Sequence, residues 1–319
     1  MGRTGYASPH ISKLLFERGF RPSYPNGGKF AVCLSHDVDL LHTTRRELFG
    51  TMRRGHRPMD GKNLRALLSG GVDPVHALNP LLEIESRMDV TSTFYFLALK
   101  PGDEDFNFDL SYAAGEIGAV LRAGCEVGLH GGHKAYASAA VLSEEMGRLK
   151  TALGGKAVAG YRGHYLRFRV PDTWHLLEQA GFTYDTRLGW SESIGFRSGL
   201  CYPYHPFNQT TGKRTGIAEL PLAVMERSLF EYMRLPYEQA LSTFWRLVDE
   251  VESCQGVLTL LWHNGFPLVP YSTYAELVRK LKDRGAWFAT GTQLLEHWIS
   301  AGYFGQMEGL LDELLAERS

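Results

Sequence analysis

Residues 30–39, Phe-Ala-Val-Cys-Leu-Ser-His-Asp-Val-Asp, end an apolar run in two aspartates one residue apart. An unbroken apolar run suits a strand covered on both faces, and side chains two apart on a strand point the same way. Asp37 and Asp39 therefore leave the strand end on one face. Two close carboxylates raise one pKa unless a cation neutralises them. A lone Asp-x-Asp is more often a solvated turn or a helix N-cap, so the rest of the chain decides. Other strand-like runs end in the same residue types. The run 126–129 leads into His130 and His133, and 158–161 leads into Arg162, His164 and Tyr165. The run 182–185 ends at Asp185, and 257–262 ends in His263 and Asn264. Five such ends are hard to explain as separate core contacts. A carboxylate with two histidines makes a facial set for Zn2+ or another divalent first-row metal, leaving positions for water and substrate. A second aspartate could take a proton from water, and a histidine opposite could give one to a leaving group. Those are the parts of metal-assisted hydrolysis of an amide or ester.

The elements that must position these residues are legible as alternating patterns. Strands are expected at 30–34, 92–97, 126–129, 158–161, 182–185, 218–224, 257–262 and 287–290. Helical patterns occupy 138–155, 171–182, 237–254 and 272–285, three of them with apolar residues at three- and four-residue spacings. Gly154, Gly181 and Gly285 follow such patterns, where a left-handed C-cap is expected. The alternation predicts an α/β fold of parallel units. Seven or eight strands over this length favour a barrel, whose chemistry sits at the C-terminal strand ends. The chain, 1–319, reads as one domain with a basic insertion at about 43–75. A lid-like loop is expected at about 189–208, over the mouth, where aromatic faces and Arg197 could hold a sugar ring. Arg187 and Arg197 are candidates for an anionic substrate group.

Composition narrows the partners. With 319 residues, 44% hydrophobic and 22% charged, the chain can bury a large core. The formal net charge of -1 points to neither nucleic acid nor an anionic membrane surface. No apolar run has membrane-spanning length, and the opening residues show no secretory h-region. Four widely spaced cysteines without a Cys-x-x-Cys pair read as buried free thiols in a reducing compartment. A cytoplasmic location is the expectation.

Taken in order, these motifs resemble the polysaccharide deacetylases of the NodB-homology, carbohydrate esterase group. The resemblance runs from residue 30 to about 295 and implies an irregular (β/α) barrel. It makes Asp37 the catalytic base and Asp39 a metal ligand. It places His130 and His133, in "GLHGGHKAY", as the paired histidine ligands. The family's Arg-x-Pro-Tyr motif is matched by Arg162-Gly163-His164-Tyr165, with histidine in place of proline. There the arginine orients the base and the tyrosine backbone N–H binds the oxyanion. An acidic residue near a tryptophan resembles Asp185 and Trp190, and Leu261-Trp262-His263 matches the motif that carries the general acid. Two departures follow. The histidines stand three apart across two glycines, whereas the family spaces them four apart, one helical turn. His164, replacing the proline, is the alternative third ligand behind His133. The resemblance implies one Zn2+, Co2+, Ni2+ or similar ion per chain. It also implies removal of an acetyl group, N-acetyl ahead of O-acetyl, from an acetylated amino sugar. With no export signal, a nucleotide sugar or glycan precursor of surface polysaccharide is the expected substrate. Cyclic-amide or imide hydrolysis is the runner-up, and a silent glycan-binding barrel is the reading from another class.

Overall fold

The residues of the opening motif form the longest strand, β1 (Phe30–Val38), and every one of them is buried. In this computed structural model residues 6–43, 49, 73–74, 78–264 and 268–317 are described, so the expected insertion at 43–75 lies almost wholly outside them. The other strands of its sheet are β2 (Ser92–Leu97), β3 (Glu126–Gly131), β4 (Gly160–Gly163), β5 (Tyr184–Asp185), β6 (Ala218–Glu219), β7 (Leu222–Met225), β8 (Val257–Leu261) and β9 (Ala286–Phe288). All nine belong to one parallel sheet in the order β6-β5-β4-β3-β2-β1-β8-β7. β9 pairs with the first half of β1, on Phe30 to Val32, while β2 takes the second half, from Leu34.

The expected strand at 218–224 is two strands, because Leu220-Pro221 interrupts it. Proline has no N–H for a ladder. The two pieces pair on opposite edges, β6 with β5 and β7 with β8. The sheet therefore curls until its edges meet through two linking residues, an irregular (β/α) barrel.

The helices are α1 (His10–Glu17), α2 (Asn79–Arg87), α3 (Ala114–Arg122), α4 (Ala139–Ala152), α5 (Asp172–Ala180), α6 (Tyr237–Ser253), α7 (Tyr271–Asp283), α8 (Gly291–Ser300) and α9 (Tyr303–Ala316). Ala240, Phe244, Leu247, Val248 and Val251 form the buried stripe of α6, at the spacing of one helical face. Thr290 and Gln293 start α8 with a reciprocal capping box. Gly181 ends α5 in the left-handed conformation, at φ 87°.

Residues 189–208, the stretch expected to form a lid-like loop, pack in part against the core. Ile194–Gly195 pairs with Tyr6–Ala7, and the Cys201 carbonyl accepts from the Val257 N–H at the N-terminal end of β8. Phe196 and Tyr202 are buried, Tyr202 against Phe20 at 5.0 Å. These rings serve the core, where burial of apolar surface is worth most. All four cysteines are buried and free, with Cys201 and Cys254 sulfurs 3.5 Å apart. Among the described residues no helix is long and apolar enough to cross a membrane.

Candidate active site

Alternation along β1 sends Asp37 into the barrel and His36 to the opposite face. Behind the sheet, the His36 Nδ1–H donates to the Trp262 carbonyl at 2.7 Å, and Nε2 meets Glu85 at 2.7 Å. Glu85 also accepts from Tyr274 and Ser92 hydroxyls at 2.6 and 2.8 Å. This closed network ties β1 to the chain just before His263.

At the C-terminal strand ends lies a cavity of about 440 Å³. Asp37, Asp39, His130, His164, Tyr165 and His263 all line it. β3 and β4 place His130 beside Arg162 as strand neighbours. Arg162 is fully buried and donates to Asp37 Oδ1 at 3.0 Å, Ser35 Oγ at 3.0 Å, the Thr186 carbonyl at 2.9 Å and Thr186 Oγ1 at 3.2 Å. A buried guanidinium is tolerated because its donors are used. Burial opposes ionisation of Asp37, but His130, Arg162 and His263 outweigh it and hold its carboxyl below the usual range.

Three donor atoms converge beside this pair. Asp39 Oδ1 lies 3.2 Å from His130 Nε2 and 3.5 Å from His164 Nδ1, and the two nitrogens are 3.0 Å apart. His130 Nδ1 sits 3.0 Å from the Arg162 carbonyl, which can only accept. Nδ1 therefore carries a proton, and Nε2 is the atom turned toward Asp39 and His164. Asp39 Oδ1 is buried with no hydrogen bond. The spacing suits a cation about 2 Å from each atom, the distance zinc takes to nitrogen and carboxylate ligands. Burial opposes charge on His130, yet Asp37 and Asp39 raise its pKa, so the cavity floor draws positive charge. Burial and His130 push His164 down to about 4, leaving it neutral.

His133 is not part of this set. Its Nε2 lies 2.8 Å from Asp105 Oδ2, and its Nδ1 is 3.5 Å from Glu104. The helical spacing that favoured it does not arise, because β3 continues to Gly131 and α4 begins only at Ala139. A Cβ at Gly131 would overlap the Tyr161 ring, and one at Gly132 would stand 2.6 Å from Leu99 Cδ2. These glycines let the strand pass tightly, and His133 packs against His164 and Tyr165 at 5.3 Å. His164 is the histidine beside Asp39 and His130.

Asp185 is also held away from the cavity. It is buried, 2.8 Å from Arg187 Nε, and sits in register with Glu219 of β6. Burial raises the pKa of both carboxyls against the pull of Arg187. Asp185 adjoins Thr186, which holds Arg162, so it reaches Asp37 only indirectly. Arg187 is thereby unavailable to an anionic substrate, and Arg197 lies over Phe168. Tyr165 is 61% exposed with φ 56°, and its hydroxyl donates to Asp105 Oδ2 at 2.9 Å.

The structure adds residues the motifs do not mark. Glu226 Oε1 lies 2.9 Å from His263 Nδ1 and accepts from the His263 N–H at 3.2 Å. Burial lowers the His263 pKa, but Glu226 outweighs it and raises the value. Glu226 follows β7 directly, so the strand-end rule that found the others also reaches it. Arg227, which precedes the π-helical turn Ser228–Tyr232, and Tyr232 at its end line the cavity.

No family model and no curated protein matches the chain. A solved structure shares its fold. A Mycobacterium smegmatis protein assigned as a polysaccharide deacetylase is 19% identical with a TM-score of 0.60, over 88% of this chain and 94% of that one. The CE4 domain of a multidomain xylanase from the hindgut metagenome of Trinervitermes trinervoides is 14% identical with a TM-score of 0.47, over 84% and 90%. The chain has the NodB-homology barrel fold of the first of these, and the expected fold class holds.

Proposed function

We propose that this protein is a divalent-metal-dependent carbohydrate deacetylase. It removes an N-acetyl group from an amino sugar, nucleotide sugar or glycan precursor in surface-polysaccharide biosynthesis. The observation that carries the reading is one cavity in which Asp39, His130 and His164 converge between the Asp37–Arg162 pair and the Glu226–His263 pair. A cation held by the first three supplies Lewis acidity when bound. Asp37, kept ionised, accepts the proton of the attacking water. The Tyr165 backbone N–H steadies the developing oxyanion. His263, kept protonated, gives its proton to the departing amine. A chain acting as one domain in the cytoplasm fits the four unpaired thiols.

Purified protein should contain about one Zn2+, Co2+ or Ni2+ per chain and release acetate from acetamido sugars, with loss of activity under chelation. Activity in metal-free protein that ignores chelators would overturn the reading. A pH profile probes the acid. Because Glu226 raises the His263 pKa, the imidazolium persists to higher pH and carries the alkaline limb of kcat/KM upward. Glu226→Gln should therefore shift that limb to lower pH. An unmoved limb would exclude Glu226 from tuning the acid.

A further inference from the structure

Outside the three donors sits a carboxylate that no motif marks. We infer that Asp105 is a positioning residue that fixes His164 in the tautomer a metal ligand requires; this rests on the metal-site reading above. Asp105 lies on the chain after β2 with φ 62°, and its Oδ2 is 3.3 Å from His164 Nε2. A carboxylate accepts, so the Nε2 position carries the proton and the Nδ1 lone pair faces Asp39 and His130.

The need for such a brace is local. His164 stands in a short turn, His164–Leu166, that contains two left-handed residues, Tyr165 and Leu166, and its ring has no strand to align it. His130 is set in the opposite sense, Nδ1–H to the Arg162 carbonyl. With both rings so fixed, His130 Nε2 and His164 Nδ1 meet at 3.0 Å beside Asp39 Oδ1. The brace thus stores the site in a binding-ready form. His133, displaced from the ligand set, holds Asp105 Oδ2 at 2.8 Å and helps to anchor it.

Asp105, His133 and His164 also lie close enough to hold a second ion. Two facts speak against it. Asp105 Oδ2 already meets three donors, at 2.8, 2.9 and 3.3 Å. Binding through both His164 nitrogens would strip the ring of both protons.

The test uses metal-free full-length wild type, Asp105→Ala and Asp105→Asn. Ring 15N–1H spectra report the His164 tautomer without metal, and Co2+ or Zn2+ titration reports affinity. Wild-type His164 should show Nε2–H. Asp105→Ala should mix the tautomers and bind about 10–100-fold more weakly, the usual effect of losing an outer-shell partner. Asp105→Asn, which keeps the shape but not the charge, should fall between and covers a folding failure of the alanine variant. Unchanged affinity with an unchanged tautomer would overturn the inference. So would a second equivalent of metal in wild type that both Asp105→Ala and His133→Ala abolish. If wild type binds no metal, the function reading fails by itself, while the tautomer measurement still decides the role of Asp105.

Discussion

Asp37→Asn is expected to keep the metal and reduce kcat by about 10²–10⁴-fold, the scale of a lost general base. The amide matches the carboxylate in shape and still accepts from Arg162, which retains Ser35 and both Thr186 contacts. The substrate cavity is therefore preserved while proton acceptance is lost. The variant should also melt lower, since a buried guanidinium loses its counter-charge. Rates belong well below that transition, and metal content by elemental analysis must accompany them. Hydrolysis of an acetamido sugar at near wild-type rate would remove Asp37 from the chemistry.

His164→Ala and His133→Ala should separate sharply in metal binding. His164 Nδ1 is one of three converging donors, and deleting it leaves only Asp39 and His130. Affinity should drop by more than the about 10–100-fold that an outer-shell loss brings, and stoichiometric metal should disappear on dialysis. His133→Ala removes a partner of Asp105 and should retain one ion per chain. The reverse pattern, metal lost with His133 and kept with His164, would restore the four-apart histidine logic of the wider family. Isothermal titration of both variants against wild type settles the assignment.

What the sequence made visible depended on how local the determinant was. Ser92–Leu97 was delimited by its own apolar composition, and Gly181 by its place after a helical pattern. Asp37 and Asp39 were legible because strand geometry relates residues two apart. Arg162 meeting Asp37 was legible through the motif, although 125 positions separate them. His133 stands apart from Asp39 and His130 because three-apart spacing brings side chains together only where a helix has begun, and here β3 runs on to Gly131 and α4 starts at Ala139. The split at Pro221 was missed although the proline marks it, and only the sheet shows that the two halves serve opposite edges. Asp105 was hidden in an acidic loop, "PGDEDFNFD", that reads as ordinary solvated surface. Its role depends on a turn sixty residues later.

The position of β1 also bears on synthesis at the ribosome. Ala31 pairs with Val257 on one side and with Trp287 on the other, so the first strand made waits for nearly the last. A nascent chain can present Asp37 and Asp39 early but cannot seat them until β8 and β9 have emerged. Such long-range pairing slows folding and leaves apolar strands uncovered in the meantime. A chain released before residue 286 would lack β9, and Asp37 and Asp39 would hang from a strand missing a neighbour. Premature termination should therefore yield chaperone clients instead of partly active fragments.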